Sequence, residues 1–313
     1  MSGIMNACDR TMQMTREEFG WRVEAPAKLN LFLEITGKRP DGFHDIETVM
    51  TTVGLFDTLD FKEVTTESIS LQCFAAEIPN GHSIDVDAIP TDDSNLVIRA
   101  AKLLRNHAGN RQGVEISLHK RIPAEAGLAG GSSDAAATLA ALNRLWALNL
   151  SRTELQSLAA ELGSDIPFFL ADSPWAVCRG RGEIIEPLPS CQPFWTVIVR
   201  PPVGLSTADV YRACRPSANP RSAQPLIETI CSGRLDELEQ HLHNSLQAPA
   251  EQLCPLLEQV KQAFEAESFL AHQMSGSGTA WFGICRTETE ARDIAANLAS
   301  QSLGHLFVAS TIP

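Results

Sequence analysis

From Trp21 to about Phe61 the chain alternates with a period of two: Leu29, Leu31 and Leu33 interleave with Asn30, Phe32 and Glu34. That period predicts strands, and Gly37 to Gly42 reads as the loop between them. A polar cluster, Asp92 to Asn95, then precedes Leu96, Val97, Ala100, Ala101, Leu103 and Leu104, whose three-and-four spacing predicts a helix with Asn95 as its capping candidate. Val114, Ile116 and Leu118 alternate with Glu115, Ser117 and His119, the period of a half-buried strand. A glycine and serine loop follows, from Pro123 to Asp134, and opens a helix carrying Leu139, Leu142, Leu145 and Trp146. The next helix starts at Ser151 with Glu154 completing a capping box, and stops at Gly163 ahead of Pro167.

Beyond about Glu186 the text changes character. Five prolines between Pro187 and Pro202 flank a strand, Phe194 to Val199, and a Pro/Ser/Arg-rich stretch runs from Arg215 to Pro225. Helical spacing over 234–246 and 251–264 leads to a second glycine loop at Ser275 to Gly278. A strand (281–285), a helix (288–299) and a last strand (306–309) close the chain. The pattern predicts an α+β protein whose second half is a split αβ layer. The expected organisation is a flexible extension over 1–20, where no period is visible, then domains over 21–185 and 186–313. No internal repeat is visible.

Composition narrows the function classes. The 25 basic and 38 acidic residues leave a net charge of −13, which excludes a broad nucleic-acid or anionic-membrane surface. No apolar run approaches the roughly 20 residues of a membrane helix, and acidic Asp9, Glu17 and Glu18 stand where a signal sequence would be basic. Eight scattered cysteines show neither C-x-x-C nor zinc spacing, which fits reduced thiols in the cytoplasm. His241 and His243 are expected on a helix surface rather than at a metal.

Four segments can carry chemistry. In Pro123-Ala-Glu-Ala-Gly-Leu-Ala-Gly-Gly-Ser-Ser-Asp134, glycines allow close approach of a phosphate, and the opening of a helix supplies N–H groups and a positive dipole end. Lys120 and Arg121 add positive charge, and Ser132 or Ser133 can serve phosphate oxygens or magnesium. The alternative is a tight strand-to-helix turn with serine caps. Lys28 and Asn30, two apart on a strand, share a face opposite Leu29 and Leu31, as a functional pair or as an ordinary solvent-facing alternation. Asp165, between Gly163 and Pro167, can be a general base or a turn residue. Ser275 to Gly278 either presents N–H groups to an anion or simply links helix and strand. The loop lacks the G-x-x-x-x-G-K-[ST] spacing, Gly276-Ser-Gly278 lacks the third glycine of a dinucleotide fingerprint, and protein-kinase signatures are missing.

In this order, Ala25-Pro-Ala-Lys-Leu-Asn-Leu, Gly37-Lys-Arg-Pro-Asp-Gly-Phe-His44, Gly127-Leu-Ala-Gly-Gly-Ser-Ser-Asp-Ala135, Gly163-Ser-Asp-Ile-Pro167 and Gly180-Arg-Gly-Glu183 resemble the GHMP kinases, from about Ala25 to the last strand. The resemblance implies a two-domain GHMP kinase fold, with a ribosomal-protein-S5-domain-2-like N-terminal half and a ferredoxin-like split αβ C-terminal half. It implies ATP-dependent phosphorylation, with Mg2+, of a hydroxyl of 4-diphosphocytidyl-2-C-methyl-D-erythritol in the non-mevalonate route to isoprenoid (terpenoid) precursors. The implied partners are that small molecule and ATP, with no nucleic acid, membrane or obligate protein partner. By position, Lys28 and Asp165 fall on the catalytic pair. Pro123, Ala124, Glu125, Ala126, Gly127, Leu128, Ala129, Gly130, Gly131, Ser132 and Ser133 fall on the ATP loop, with Asn95 and Lys120 near the nucleoside. Asn30, Phe43, His44, Thr207 and Tyr211 fall on the substrate side, Phe43 to stack on cytosine and His44 to bond its edge.

Ala129 stands where many members have glycine, and Phe43 where others have tyrosine; both substitutions are expected to be tolerated, the first if φ at Ala129 stays negative. Two alternatives stay open. One is a GHMP kinase of homoserine or mevalonate, and the other is a nucleotide-binding regulator that has lost catalysis.

Overall fold

The computed structural model describes residues 11–18, 20–76, 85–189 and 191–313. It divides into two compact units made of interleaved segments: one holds the residues up to Ala27 with Leu55–Ile122 and Gly130–Pro174, the other Lys28–Gly54, Pro123–Ala129 and Trp175–Pro313.

The first unit takes β1 (Gln13–Glu17), the start of β2 (Gly20–Lys38), the end of β3 (His44–Val64), β4 (Ile69–Ala75) and β5 (Gly113–Lys120). β1 pairs antiparallel with β2, so the expected flexible extension is corrected over these residues; Met1 to Arg10 lie outside the described residues. β1 is mostly exposed and so lacks the apolar alternation that reveals a strand. β5 pairs antiparallel with β3 and parallel with β4. Helices α1 (Leu96–His107), α2 (Gly130–Leu145) and α3 (Arg152–Leu162) complete the unit with a single turn, α4 (Ile166–Phe169). The capping signals hold: Asn95 accepts from the N–H of Val97, Ser151 and Glu154 form the capping box, and Gly163 ends α3. α2 buries alanines Ala135, Ala136, Ala137, Ala140 and Ala141, small side chains that let neighbours approach closely.

In the second unit, β6 (Trp175–Arg179) pairs with β3 and with β7 (Ile184–Pro187). Then come β8 (Trp195–Arg200), α5 (Thr207–Ala213), α6 (Gln224–Cys231) and α7 (Leu238–His241). β9 (His243–Asn244) pairs parallel with β2, and is followed by α8 (Gln247–Leu253) and α9 (Leu256–Glu265). The unit ends with β10 (Ala271–Met274), β11 (Trp281–Cys285), α10 (Glu288–Ala299) and β12 (His305–Ser310).

β8, β10, β11 and β12 form an antiparallel sheet in the order β10-β11-β8-β12. With α9 before β10 and α10 before β12, this is the ferredoxin-like split αβ arrangement. Its core joins Val197, Val199, Trp281, Leu257, Val260, Phe264 and Leu298, each worth about 1.5–3 kcal/mol when fully buried. Gly283 lies directly under the Phe269 ring, where a Cβ would collide, and that ring stacks on Phe264 at 5.0 Å.

Two expected helices differ. The stretch 234–246 breaks into a 3₁₀ turn, α7 and β9. The stretch 251–264 is divided at Pro255, which cannot donate a helical hydrogen bond.

Candidate active site

In the second unit, β2 carries Lys28 and Asn30, both 3% exposed, so the pair is buried rather than a solvent-facing alternation. Asn30 Oδ1 accepts from Lys28 Nζ. A short relay fixes this orientation: Thr48 Oγ1 donates to the carbonyl of Phe32 at 2.6 Å and accepts from Asn30 Nδ2 at 2.8 Å. With its NH2 committed to Thr48, Asn30 has its oxygen left for the ammonium.

The loop Pro123–Ala129 lies against the same residues. The carbonyl of Leu128 accepts from the N–H of Lys28 (3.1 Å), that of Ala126 from Ala280 (3.0 Å) and that of Gly127 from Ser275 Oγ (3.0 Å). Peptide planarity then points the N–H on the other side of each of these peptides away from the carbonyl's partner. Gly127 has φ +73, and a Cβ there would run into the carbonyl of Ser275. Ala129 has φ +56, so the condition of a negative φ is not met and an alanine occupies the left-handed region.

The second glycine loop joins this cluster. Ser275 is fully buried and also accepts from the N–H of Asn30 at 3.3 Å. Asn244 Nδ2 donates to the carbonyls of Met274 and Gly276, both at 2.8 Å, and Gln273 Nε2 donates to the carbonyl of Asn30 at 2.9 Å. Three of the four segments singled out in the sequence thus meet in one unit.

Phe43 and His44 stand nearby in sequence on a tight turn, with Gly42 at φ +89 and the N–H of Phe43 donating to Asp41 Oδ1. Phe43 is 50% exposed. The guanidinium of Arg181 sits 5.0 Å from its ring centre, an arrangement favoured by the ring quadrupole. Glu183 steers Arg181 by accepting its backbone N–H at 2.6 Å. His44 packs on Tyr211 at 5.5 Å. Burial, assisted by Lys38, lowers the His44 pKa, which keeps the ring neutral and able both to donate and to accept. Thr207 opens α5, its hydroxyl 2.9 Å from that of Ser277.

The first unit holds the other predicted residues. Asp165 is half-buried at the start of α4, and its side chain makes no capping bond. Gly130 to Ser133 form the first turn of α2, with no acidic residue in that turn, and Ser133 Oγ is buried without a hydrogen-bond partner. Asn95, expected near a nucleoside, uses its oxygen on the cap and its NH2 on the carbonyl of Pro90.

Lys120 is likewise turned inward, 4% exposed and bonded to Asp57 and to Asp134 Oδ2, the latter at 2.9 Å. Burial disfavours its charge, yet Asp134 and Asp57 outweigh that and hold it above the ordinary lysine range. Asp134 is pushed up to about 8 by burial and by Asp57, with Lys120 offsetting only part. Asp57 also accepts the N–H groups of Arg121 (2.6 Å) and Ile122 (2.9 Å), while Asp134 Oδ1 has no hydrogen-bond partner. It is therefore the charged form of Asp134 that the site disfavours.

Sequence reasoning passed over Thr48, Asn244, Gln273 and Asp57. Only Asp57 carried a local signal, since it shares the inward register of Leu55, Leu59 and Phe61. His243, expected on a helix surface, is half-buried and contacts the carboxylate of Glu34 at 3.2 Å. Among the described residues no group of three or more His, Cys, Asp or Glu is arranged to hold a metal ion, and no helix is long and apolar enough to cross a membrane.

A glycine loop, a buried lysine–asparagine pair and a ferredoxin-like sheet define a nucleotide-dependent small-molecule kinase class. The description "GHMP kinases N terminal domain" matches residues 95–173, and "GHMP kinases C terminal" matches 226–303. The 4-diphosphocytidyl-2-C-methyl-D-erythritol kinase of Pelotomaculum thermopropionicum is 42% identical over 87% of this chain and 91% of its own length. That of Gloeobacter violaceus is 37% identical, covering 93% and 94%. A crystal structure of a 4-(cytidine 5'-diphospho)-2C-methyl-D-erythritol kinase aligns with a TM-score of 0.77 at 35% identity, covering 93% of this chain and 99% of that one. Mevalonate kinase of L. major shares the fold, with a TM-score of 0.71 at 16% identity over 100% and 99% of the two chains. The chain belongs to the GHMP kinases, in the branch made up of the 4-diphosphocytidyl-2-C-methyl-D-erythritol kinases.

Proposed function

We propose that the protein transfers the terminal phosphoryl group of ATP to a hydroxyl of 4-diphosphocytidyl-2-C-methyl-D-erythritol, in the cytoplasm, as a step of the non-mevalonate route. The observation that carries the choice of substrate is the half-exposed ring of Phe43, backed by Arg181 and followed by a neutral His44 packed on Tyr211. A nucleobase uses such a platform by stacking and edge hydrogen bonds; homoserine and mevalonate have no base to place there.

In this reading the N–H groups of the loop and of the first turn of α2 hold the phosphates of ATP, with Ser132 and Ser133 offering hydroxyls. Ser133, whose Oγ is buried without a hydrogen-bond partner, and Ser132 would be the side chains to meet a magnesium ion, which would supply neutralisation of phosphate charge. Asp165 orients the acceptor hydroxyl and takes its proton. Lys28, its ammonium fixed by Asn30, offsets charge on the transferring group.

The test is a panel of alcohols with labelled ATP. The cytidylyl alcohol is expected to be phosphorylated with a kcat/KM at least about a hundredfold above mevalonate or homoserine. Faster turnover of either small alcohol would overturn the substrate. ATP binding with no transfer to any alcohol would overturn the enzyme reading in favour of a regulator.

A further inference from the structure

We propose that Asp57, Lys120 and Asp134 form a clasp that sets the first turn of α2 for ATP, acting as positioning residues that do not touch the nucleotide. The inference rests on the assignment of that turn to the phosphates. The three side chains lie on three elements, β3, the end of β5 and α2, and all are buried: Asp57 0%, Lys120 4% and Asp134 2% exposed.

Their bonds draw the ends of the loop together. Asp57 Oδ1 accepts the N–H groups of Arg121 and Ile122, the residues by which the chain leaves β5. Lys120 Nζ bridges Asp57 Oδ2 to Asp134 Oδ2, one turn into α2. Gly130, the first residue of α2, is seated so closely that a Cβ would lie 3.2 Å from Lys120 Nζ and 2.9 Å from Ile122 Cγ2. Strand exit and helix entry are therefore gripped by one ammonium.

Stability alone is a poor reason for such a device. A buried ion triad is often matched or bettered by apolar side chains of the same volume, whereas a charge network accepts only one arrangement of its members. Losing the bridging ammonium leaves the buried carboxyl groups of Asp57 and Asp134 without the donor they share, and the helix entry must shift to pair or hydrate them. The N–H groups of Gly130 to Ser133, whose value to an anion depends on their direction, move with it.

The experiment measures Kd for ATP and for the cytidylyl alcohol by calorimetry in the full chain. Lys120→Met is expected to weaken ATP about tenfold or more while the alcohol stays within about twofold. Lys120→Arg, which keeps a cation between the carboxylates, is expected to recover ATP binding to within about threefold of wild type. Should Lys120→Met not fold, Asp134→Ala, which opens one end of the clasp, is expected to weaken ATP about threefold or more. Unchanged ATP binding in a folded clasp variant, or equal weakening of both ligands, would overturn the clasp alone. A wild-type protein that binds no ATP would overturn the loop assignment and the clasp with it.

Discussion

The hydroxyl of Ser275 donates to the carbonyl of Gly127 at 3.0 Å and is at the same time the acceptor for the N–H of Asn30. One small side chain thus fastens the glycine loop, the polar strand and the second glycine loop inside a single unit. Ser275→Ala leaves a buried N–H and a carbonyl short of a partner, at a cost of about 1–3 kcal/mol. Thermal unfolding should register that loss, and kcat/KM for ATP should fall more than kcat/KM for the alcohol. Equal activity with equal stability would show the tether to be idle.

Ala129 holds φ at +56, a conformation disfavoured for an L-residue by roughly 1–2 kcal/mol. Glycine removes that penalty but loses more chain entropy on folding, about 0.5–1 kcal/mol. Ala129→Gly is therefore expected to stabilise the fold by up to about 1.5 kcal/mol, seen as a rise in the urea midpoint. A lower midpoint would contradict it.

Asp134 makes stability depend on pH. Its charge is opposed by burial and by Asp57, with Lys120 bonded to it and Cys73, on β4, as the further titratable neighbour. The ordinary aspartate value is about 3.9, and in the fold it is raised to about 8. Across this window the folded chain keeps a proton that the unfolded chain releases, so the contribution is complete below about pH 4, falls as pH rises and is lost above about 8. Melting temperatures from pH 5 to 9 should decline more steeply in wild type than in Asp134→Asn, which has no charge to acquire. Parallel profiles would contradict the assignment.

The local signals of the sequence carried far because they are local. Asn95 and the Ser151–Glu154 box satisfy backbone groups within a few residues, so spacing alone announces them. β9 was invisible for the opposite reason: Asn244 leaves the helical spacing to pair with β2 and to serve carbonyls about thirty residues away. Lys120 read as a phosphate-side cation because it precedes the loop, yet it continues the inward register of Val114, Ile116 and Leu118. A charge in that register, like Asp57 in the register of Leu55 and Leu59, announces a buried partner, and the two belong to each other. Lys28 and Asn30 were legible as a pair on one face, while their burial depends on Thr48 and the Ser275 loop, which no period reveals.

Single-turnover rates with ATP and the cytidylyl alcohol test directly the proposed action of Lys28 and Asp165 on one phosphoryl transfer. Asp165→Asn and Lys28→Met are each expected to slow the transfer by about 10²–10⁴, and the double variant to be little slower than the worse single, as for groups working as a unit. Wild-type rates in Asp165→Asn, or losses that multiply in the double variant, would contradict the account.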